Sequence, residues 1–252
     1  MADPRQSVDA LILAAGRGER LGLGPKALLV LGDRTLLDRA IGVMRSVAER
    51  VIVGVPEECV EQIRAAHTGN VVILAGGKTR METLLRLFHA STAPLIVQHD
   101  IVHPFVTPEL ARRVVAAARK TGAAMAAARS AAHVYRGEGR LAERIVTEDT
   151  LWLARKPLAF ARLALARALD GSLMLPDDAG TVELLLSAHE PVEIVPVEPW
   201  NIKLTTPEDW TLAQALDAMF PAALQETAGE VVAPDVGLLD SDRRRLHHGP
   251  AG

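Results

Sequence analysis

Arg17, Arg20 and Lys26 stand in a loop that also holds Gly16, Gly18, Gly22 and Gly24, directly after the apolar run Val8–Leu13. Glycines let backbone N–H groups converge on an anion in conformations that other residues resist. With fixed positive charge around it, such a loop suits a triphosphate. Attack of an acceptor phosphate on the α-phosphorus of a nucleoside triphosphate brings two anions together. The barrier is mainly charge repulsion and positioning, so the site needs cations more than a base. Arg20 and Lys26 are placed to flank the α-phosphate, and Lys203, past a late strand, supplies a third positive charge on the acceptor side. A carboxylate is then needed for Mg²⁺ or Mn²⁺, hard cations that prefer oxygen ligands and bridging phosphates. Asp100, at the end of another apolar run, is the candidate metal ligand.

Other readings compete for these residues. A dinucleotide fingerprint wants G-x-G-x-x-G with a helix starting inside the motif. Here the third glycine comes one residue late, and Gly24-Pro25 delays the helix to about Thr35. A Walker loop wants Gly-Lys-Ser/Thr, which does not follow these glycines. A solvated surface loop is the plain alternative. His99-Asp100-x-x-His103 has the spacing of a zinc pair on a helix, but Pro104 argues against a helix there. Asp177-Asp178 reads first as helix N-terminal capping.

The elements that must position these groups alternate in type. Val8–Leu13, Val51–Val55, Val71–Leu74, Pro94–Gln98 and Ala123–Ala128 read as strands, and Val192–Val197 as a later one. Leu36–Arg50, Glu57–Ala66, Thr79–His89 and Thr107–Thr121 read as helices between them, followed by Leu158–Leu169, Ala179–Ser187 and Pro207–Met219. This alternation argues for an α/β fold with a doubly wound, mostly parallel, Rossmann-like sheet. Its ligand crevice belongs at the carboxyl ends of the strands. The glycine loop, Gly76-Gly77 and Asp100 all fall at such ends. Between Ala132 and Val146 the rhythm changes to a β-hairpin around Gly137-Glu138-Gly139, an arm inserted into the domain. Residues 1–220 form one nucleotidyltransferase domain, and 221–252 read as a disordered C-terminal tail.

Ala14-Ala15-Gly16-x-Gly18-x-Arg20-x-Gly22 followed by Pro25-Lys26 resembles the signature of the sugar-phosphate nucleotidyltransferases. Gly76-Gly77-x-x-Arg80, His99-Asp100-x-x-x-Pro104, Leu151-Trp152, Asp177-Asp178-Ala179 and Asn201-Ile202-Lys203-x-Thr205-x-Pro207-Glu208-Asp209 follow in order. Together they are most similar to the 2-C-methyl-D-erythritol 4-phosphate cytidylyltransferase family of isoprenoid biosynthesis, over about residues 7 to 219. The resemblance implies CMP transfer from CTP with release of pyrophosphate. It implies Arg20, Lys26 and Lys203 as catalytic residues, and Asp100 on the metal. Ala14, Ala15, Gly16, Gly18, Gly77, Thr83 and Asp100 would bind the nucleotide. It also implies a homodimer joined through the hairpin arm. The acceptor half departs from the family: His103 and Glu148 stand where arginines are usual, Lys156 and Pro176 where threonines are usual. His103, Glu148 and Lys156 are therefore the acceptor-binding positions whose chemistry has changed, and Arg to Glu reverses a charge. The acceptor expected is a small phosphorylated polyol or phosphonate other than methylerythritol phosphate. Use of another nucleoside triphosphate, or a catalytically silent nucleotide-binding paralogue, are the alternatives.

Composition bounds the partners. The 252 residues carry a net charge of −3, which gives no global attraction to nucleic acid or to an acidic membrane. No apolar run is long enough to span a bilayer, and the N-terminus lacks the shape of a signal peptide. Cys59 is the only cysteine, so no disulfide framework exists. A cytoplasmic location is the expectation.

Overall fold

The computed structural model describes residues 7–130, 134–138, 141–146, 151–171 and 180–219. β1 (Val8–Leu13) is buried along its whole length, including Asp9. That carboxylate is tolerated because Oδ2 accepts hydrogen bonds from Ser91 Oγ at 2.8 Å and from the Thr92 amide at 3.2 Å. After the glycine loop come a single 3₁₀ turn (Lys26–Leu28) and a small ribbon of β2 (Val30–Leu31) and β3 (Arg34–Thr35). α1 (Leu36–Arg45) starts at Thr35, whose hydroxyl and the Asp38 carboxylate close a capping box. The expected helical start at Thr35 is thus met.

β4 (Arg50–Val55), α2 (Val60–Ala66), β5 (Val71–Ala75), α3 (Arg80–Ala90), β6 (Leu95–Asp100), α4 (Pro108–Thr121) and β7 (Ala123–Arg129) continue the alternation. Thr107 caps α4, with Pro108 at the first helical position. β8 (Val134–Glu138) and β9 (Leu141–Val146) pair antiparallel as the arm. Then come β10 (Trp152–Ala161), α5 (Arg162–Gly171), α6 (Thr181–Ser187), β11 (Glu193–Pro196) and α7 (Pro207–Met219). The tail beyond residue 219 lies outside the described residues.

The main sheet has the order β11-β7-β10-β6-β1-β4-β5. All neighbours are parallel except β10, which runs antiparallel between β6 and β7. The chain leaves β1 toward β4 and β5, then returns to β6 on the other flank. The strand order therefore reverses beside β1, and the crevice outside the ends of β1 and β6 is the switch point of a doubly wound sheet. One sheet face packs under α1, α2, α4 and α7, the other under α3, α5 and α6.

β10 corrects the sequence reading. Leu158–Leu169 was expected to be one helix, yet Leu158, Ala159 and Phe160 are fully buried in the sheet and α5 begins only at Arg162. A short apolar run fits a buried strand and a buried helix equally well, and pairing with β6 and β7 decides it. Pro157 has no N–H to give a central ladder. The β7–β10 register accordingly shifts between Ala154 and Leu158, leaving residues 155–157 as a bulge.

Candidate active site

At the end of β1 the Ala14 amide donates to the Gly54 carbonyl at 2.8 Å, and the chain then leaves the sheet. The glycine loop is closed on itself: Gly22 N–H donates to Gly18 O at 2.9 Å and Lys26 N–H to Gly16 O at 3.3 Å. The N–H groups of residues 16–20 donate to no backbone carbonyl among the described residues, which leaves them for an anion. Gly18 has φ +73°, and a Cβ there would run into the Gly24 carbonyl oxygen, so only glycine closes this turn. Gly76 makes a second close approach. A side chain there would collide with the Ala15 methyl, so the turn after β5 lies directly against the end of β1.

Behind that turn the Thr83 hydroxyl accepts from the Gly77 amide at 2.9 Å and donates to the Thr79 carbonyl at 3.0 Å. Thr83 is buried with its hydrogen-bonding capacity directed at the turn, so among the residues expected to bind the nucleotide it is the one that braces Gly77. Ala14, Ala15, Gly16, Gly18 and Gly77 together form a backbone-lined floor at the switch point.

Arg20, Lys26 and Lys203 converge above this floor. Lys26 Nζ donates to the Leu204 carbonyl at 3.0 Å. Its pKa falls below the ordinary lysine value, first because the ammonium is partly buried and then because Arg20 and Lys203 repel its charge. Three cations gathered against mutual repulsion are a site prepared for anions. The Arg20 and Lys203 side chains remain exposed.

Asp100 ends β6 opposite Leu13. Its Oδ2 accepts from Arg80 Nη2 at 2.7 Å, and Lys156 Nζ stands 3.9 Å from the same oxygen. Burial alone would raise the carboxyl pKa, but Lys156 and Arg80 outweigh it and hold Asp100 ionised well below the usual carboxylate range. Oδ1 is buried and has no hydrogen-bond partner among the described residues. Lys156 is itself buried, and burial pushes its pKa down to about 8 against the pull of Asp100. His99 and His103 are buried beside this pair. Desolvation lowers them to about 4 and about 3, so both rings are neutral at physiological pH.

The structure thus assembles two groups of predicted residues around one crevice: Arg20, Lys26 and Lys203, and then Asp100, His103 and Lys156. Glu148, Asp177 and Asp178 lie outside the described residues. Among the described residues no three His, Cys, Asp or Glu side chains gather into a metal-binding group. Arg80 had figured in the sequence only as part of a pattern. Its place at the first position of α3, three residues past Gly77, aims it across the crevice at Asp100. Gln98 was also missed: it is fully buried one pleat below Asp100 and accepts from Thr181 Oγ1 at 2.7 Å.

Residues 8–218 match the family described as 2-C-methyl-D-erythritol 4-phosphate cytidylyltransferase. The enzyme of that name from Thermus thermophilus is 37% identical over 219 residues, covering 85% of this chain and 99% of the relative. Its counterpart from Deinococcus radiodurans is 36% identical over 211 residues, or 82% and 88% of the two chains. The crystal structure of the Thermus thermophilus enzyme superposes with a TM-score of 0.70 at 32% identity, over 84% of this chain and 99% of that one. The 4-diphosphocytidyl-2C-methyl-D-erythritol synthase of Anaerococcus prevotii shares the fold, with a TM-score of 0.71 at 23% identity, over 84% and 96%.

Proposed function

The chain belongs to the 2-C-methyl-D-erythritol 4-phosphate cytidylyltransferase family, and we propose that it transfers CMP from CTP to a small phosphorylated polyol or phosphonate, releasing pyrophosphate. The observation that carries this reading is the convergence of Arg20, Lys26 and Lys203 over a glycine loop whose amides at residues 16–20 donate to no backbone carbonyl among the described residues.

In this reading the loop amides and Arg20 hold the triphosphate, while the Ala14–Ala15 edge and Gly77 present backbone groups to the cytosine. Lys26, fixed by the Leu204 carbonyl, faces the α-phosphate, and Lys203 approaches from the acceptor side. As the acceptor oxyanion attacks the α-phosphorus, negative charge builds on the equatorial oxygens, and these preorganised cations stabilise it without reorganising. Pyrophosphate leaves in line, and no side chain has to remove a proton from an already ionised phosphate. Asp100 Oδ1 is an ionised, buried oxygen with no hydrogen-bond partner among the described residues, which fits one Mg²⁺ or Mn²⁺. Such an ion, when bound, neutralises triphosphate charge and polarises the leaving group. Asp100→Asn is expected to raise the Mg²⁺ concentration needed for half-maximal turnover at least about tenfold. An unchanged metal titration would remove Asp100 from that role.

The acceptor half distinguishes this chain. His103 is neutral, and the Lys156 ammonium stands 3.9 Å from Asp100, so the positive charge this side presents to the acceptor comes from Lys156 and is shared with that carboxylate. A pyrophosphate-release screen of four nucleotides against a panel of phosphates and phosphonates tests the reading. CTP should lead the nucleotides, with 2-C-methyl-D-erythritol 4-phosphate below the best acceptor. A kcat/KM for that compound of about 10⁴ M⁻¹s⁻¹ or above, in the ordinary enzymatic range, would show the substitutions to be compensated. Absence of turnover with any acceptor would favour a silent nucleotide-binding role. Across the described residues no helix is long and apolar enough to cross a membrane, and nothing in the proposed reaction requires one.

A further inference from the structure

Asn201 is 1% exposed, a carboxamide enclosed at the rim of the crevice with no place in the transfer chemistry. Its Nδ2 donates to the Lys156 carbonyl at 2.8 Å across 45 residues of chain. That carbonyl belongs to the bulge of β10, where the register with β7 is interrupted. A bulge re-aims side chains but frees backbone groups that need new partners. Asn201 supplies the partner at the residue whose ammonium stands over Asp100.

On the other side of Asn201 the chain is held again. The Leu204 amide donates to the Val102 carbonyl at 2.8 Å, just past β6, and the Leu204 carbonyl accepts from Lys26 Nζ. Lys203 therefore projects from a segment tied to β10 at Asn201, and to the end of β6 and the glycine loop at Leu204. Its charge is felt by Lys26, by His103 and by Lys156, so it stands among all three.

We infer that Asn201 is a positioning residue that fixes the Lys156 bulge and the Lys203 segment relative to one another, setting acceptor binding against the transfer step. This rests on the transferase reading above. Asn201→Ala frees the Lys156 carbonyl and lets both lysines drift, while the glycine loop keeps its own closure.

Labelling with an amine-reactive reagent, read by mass spectrometry on the full chain, needs no substrate. Lys156 should react slowly in the parent protein and at least about tenfold faster in Asn201→Ala, with the exposed Lys120 of α4 unchanged. In turnover with CTP and 2-C-methyl-D-erythritol 4-phosphate, the same variant should raise the acceptor KM and lower kcat, each about tenfold, with the CTP KM within about twofold. In a Lys156→Ala background the Asn201→Ala effect on acceptor KM should shrink to under about twofold. Asn201→Asp keeps the shape without the donor and should behave alike, which covers a failure of the alanine variant to fold. Unchanged Lys156 labelling, or equal rises in both KM values with a lowered Tm, overturns the inference. A parent protein that ignores this acceptor is what the altered acceptor half predicts, and the labelling still decides the role of Asn201.

Discussion

Lys26 shows how one side chain is made fit for an anion. Its stem is partly buried, its ammonium is anchored by a carbonyl, and two neighbouring cations make a bound phosphate the relief of a strained arrangement. Lys26→Ala or Arg20→Ala should lower kcat by at least about a hundredfold, the usual loss for one preorganised charge contact. Near-normal steady-state turnover in both variants would remove the glycine loop from the chemistry. The buried histidines bear on stability instead. His99 and His103 ordinarily titrate near 6.5, but in the folded chain they do so near 4 and 3. Between those values the unfolded chain binds protons that the folded chain refuses, so stability is full above pH 6.5 and falls as the pH drops below it. Each histidine should contribute a slope of up to about 1.4 kcal/mol per pH unit around pH 5. Urea unfolding at pH 7 and pH 5 should show the loss, and His103→Asn should make it shallower. An equal loss in that variant would dismiss His103.

At the scale of elements, the crevice is made by turns that bring backbone close to backbone. Gly18 can close the phosphate loop because it adopts a positive φ and leaves room for the Gly24 carbonyl. Gly18→Ala should therefore raise the CTP KM at least about tenfold, since backbone strain of this kind costs roughly 1–3 kcal/mol. Circular dichroism should stay native, because the loop lies outside the sheet. An unaltered CTP KM would mean the loop cradles no phosphate. β10 plays a different part. As the antiparallel strand of the described main sheet, it enters from the carboxyl end and delivers Lys156 to a crevice that the parallel strands reach only with their last residues.

Among the described residues the arm stands apart from the main sheet. β8 and β9 pair with one another and with no other strand of the described sheets, and Tyr135 is exposed. An isolated two-stranded ribbon is marginal in water. A second copy of this chain would cover it, and the chain is expected to be a homodimer through residues 132–146. Light scattering at micromolar concentration should give twice the 27.0 kDa of one chain, and deletion of residues 134–146 should halve it. A monomer before the deletion would dismiss the arm as the contact.

Local chemistry in the sequence was enough for the alternating elements, the glycine loop and the placement of Asp100 and Gly76-Gly77 at strand ends. Capping at Thr35 and Thr107, the break at Gly24-Pro25 and the apolar runs of parallel strands are all written in a few adjacent residues. The tertiary structure decided what depends on distant partners. Leu158–Ala161 is a strand only because β6 and β7 stand ready to flank it. Arg80 becomes the partner of Asp100 only once α3 has packed beside β1 and β4. In the sequence Lys156 is an acceptor-binding position that carries a lysine in place of the usual threonine. In the fold its pairing with Asp100, its burial and its tie to Asn201 all come from elements dozens of residues away. Short-range preferences fix where a chain turns, whereas the charge state and aim of a buried group are set by whatever the fold brings against it.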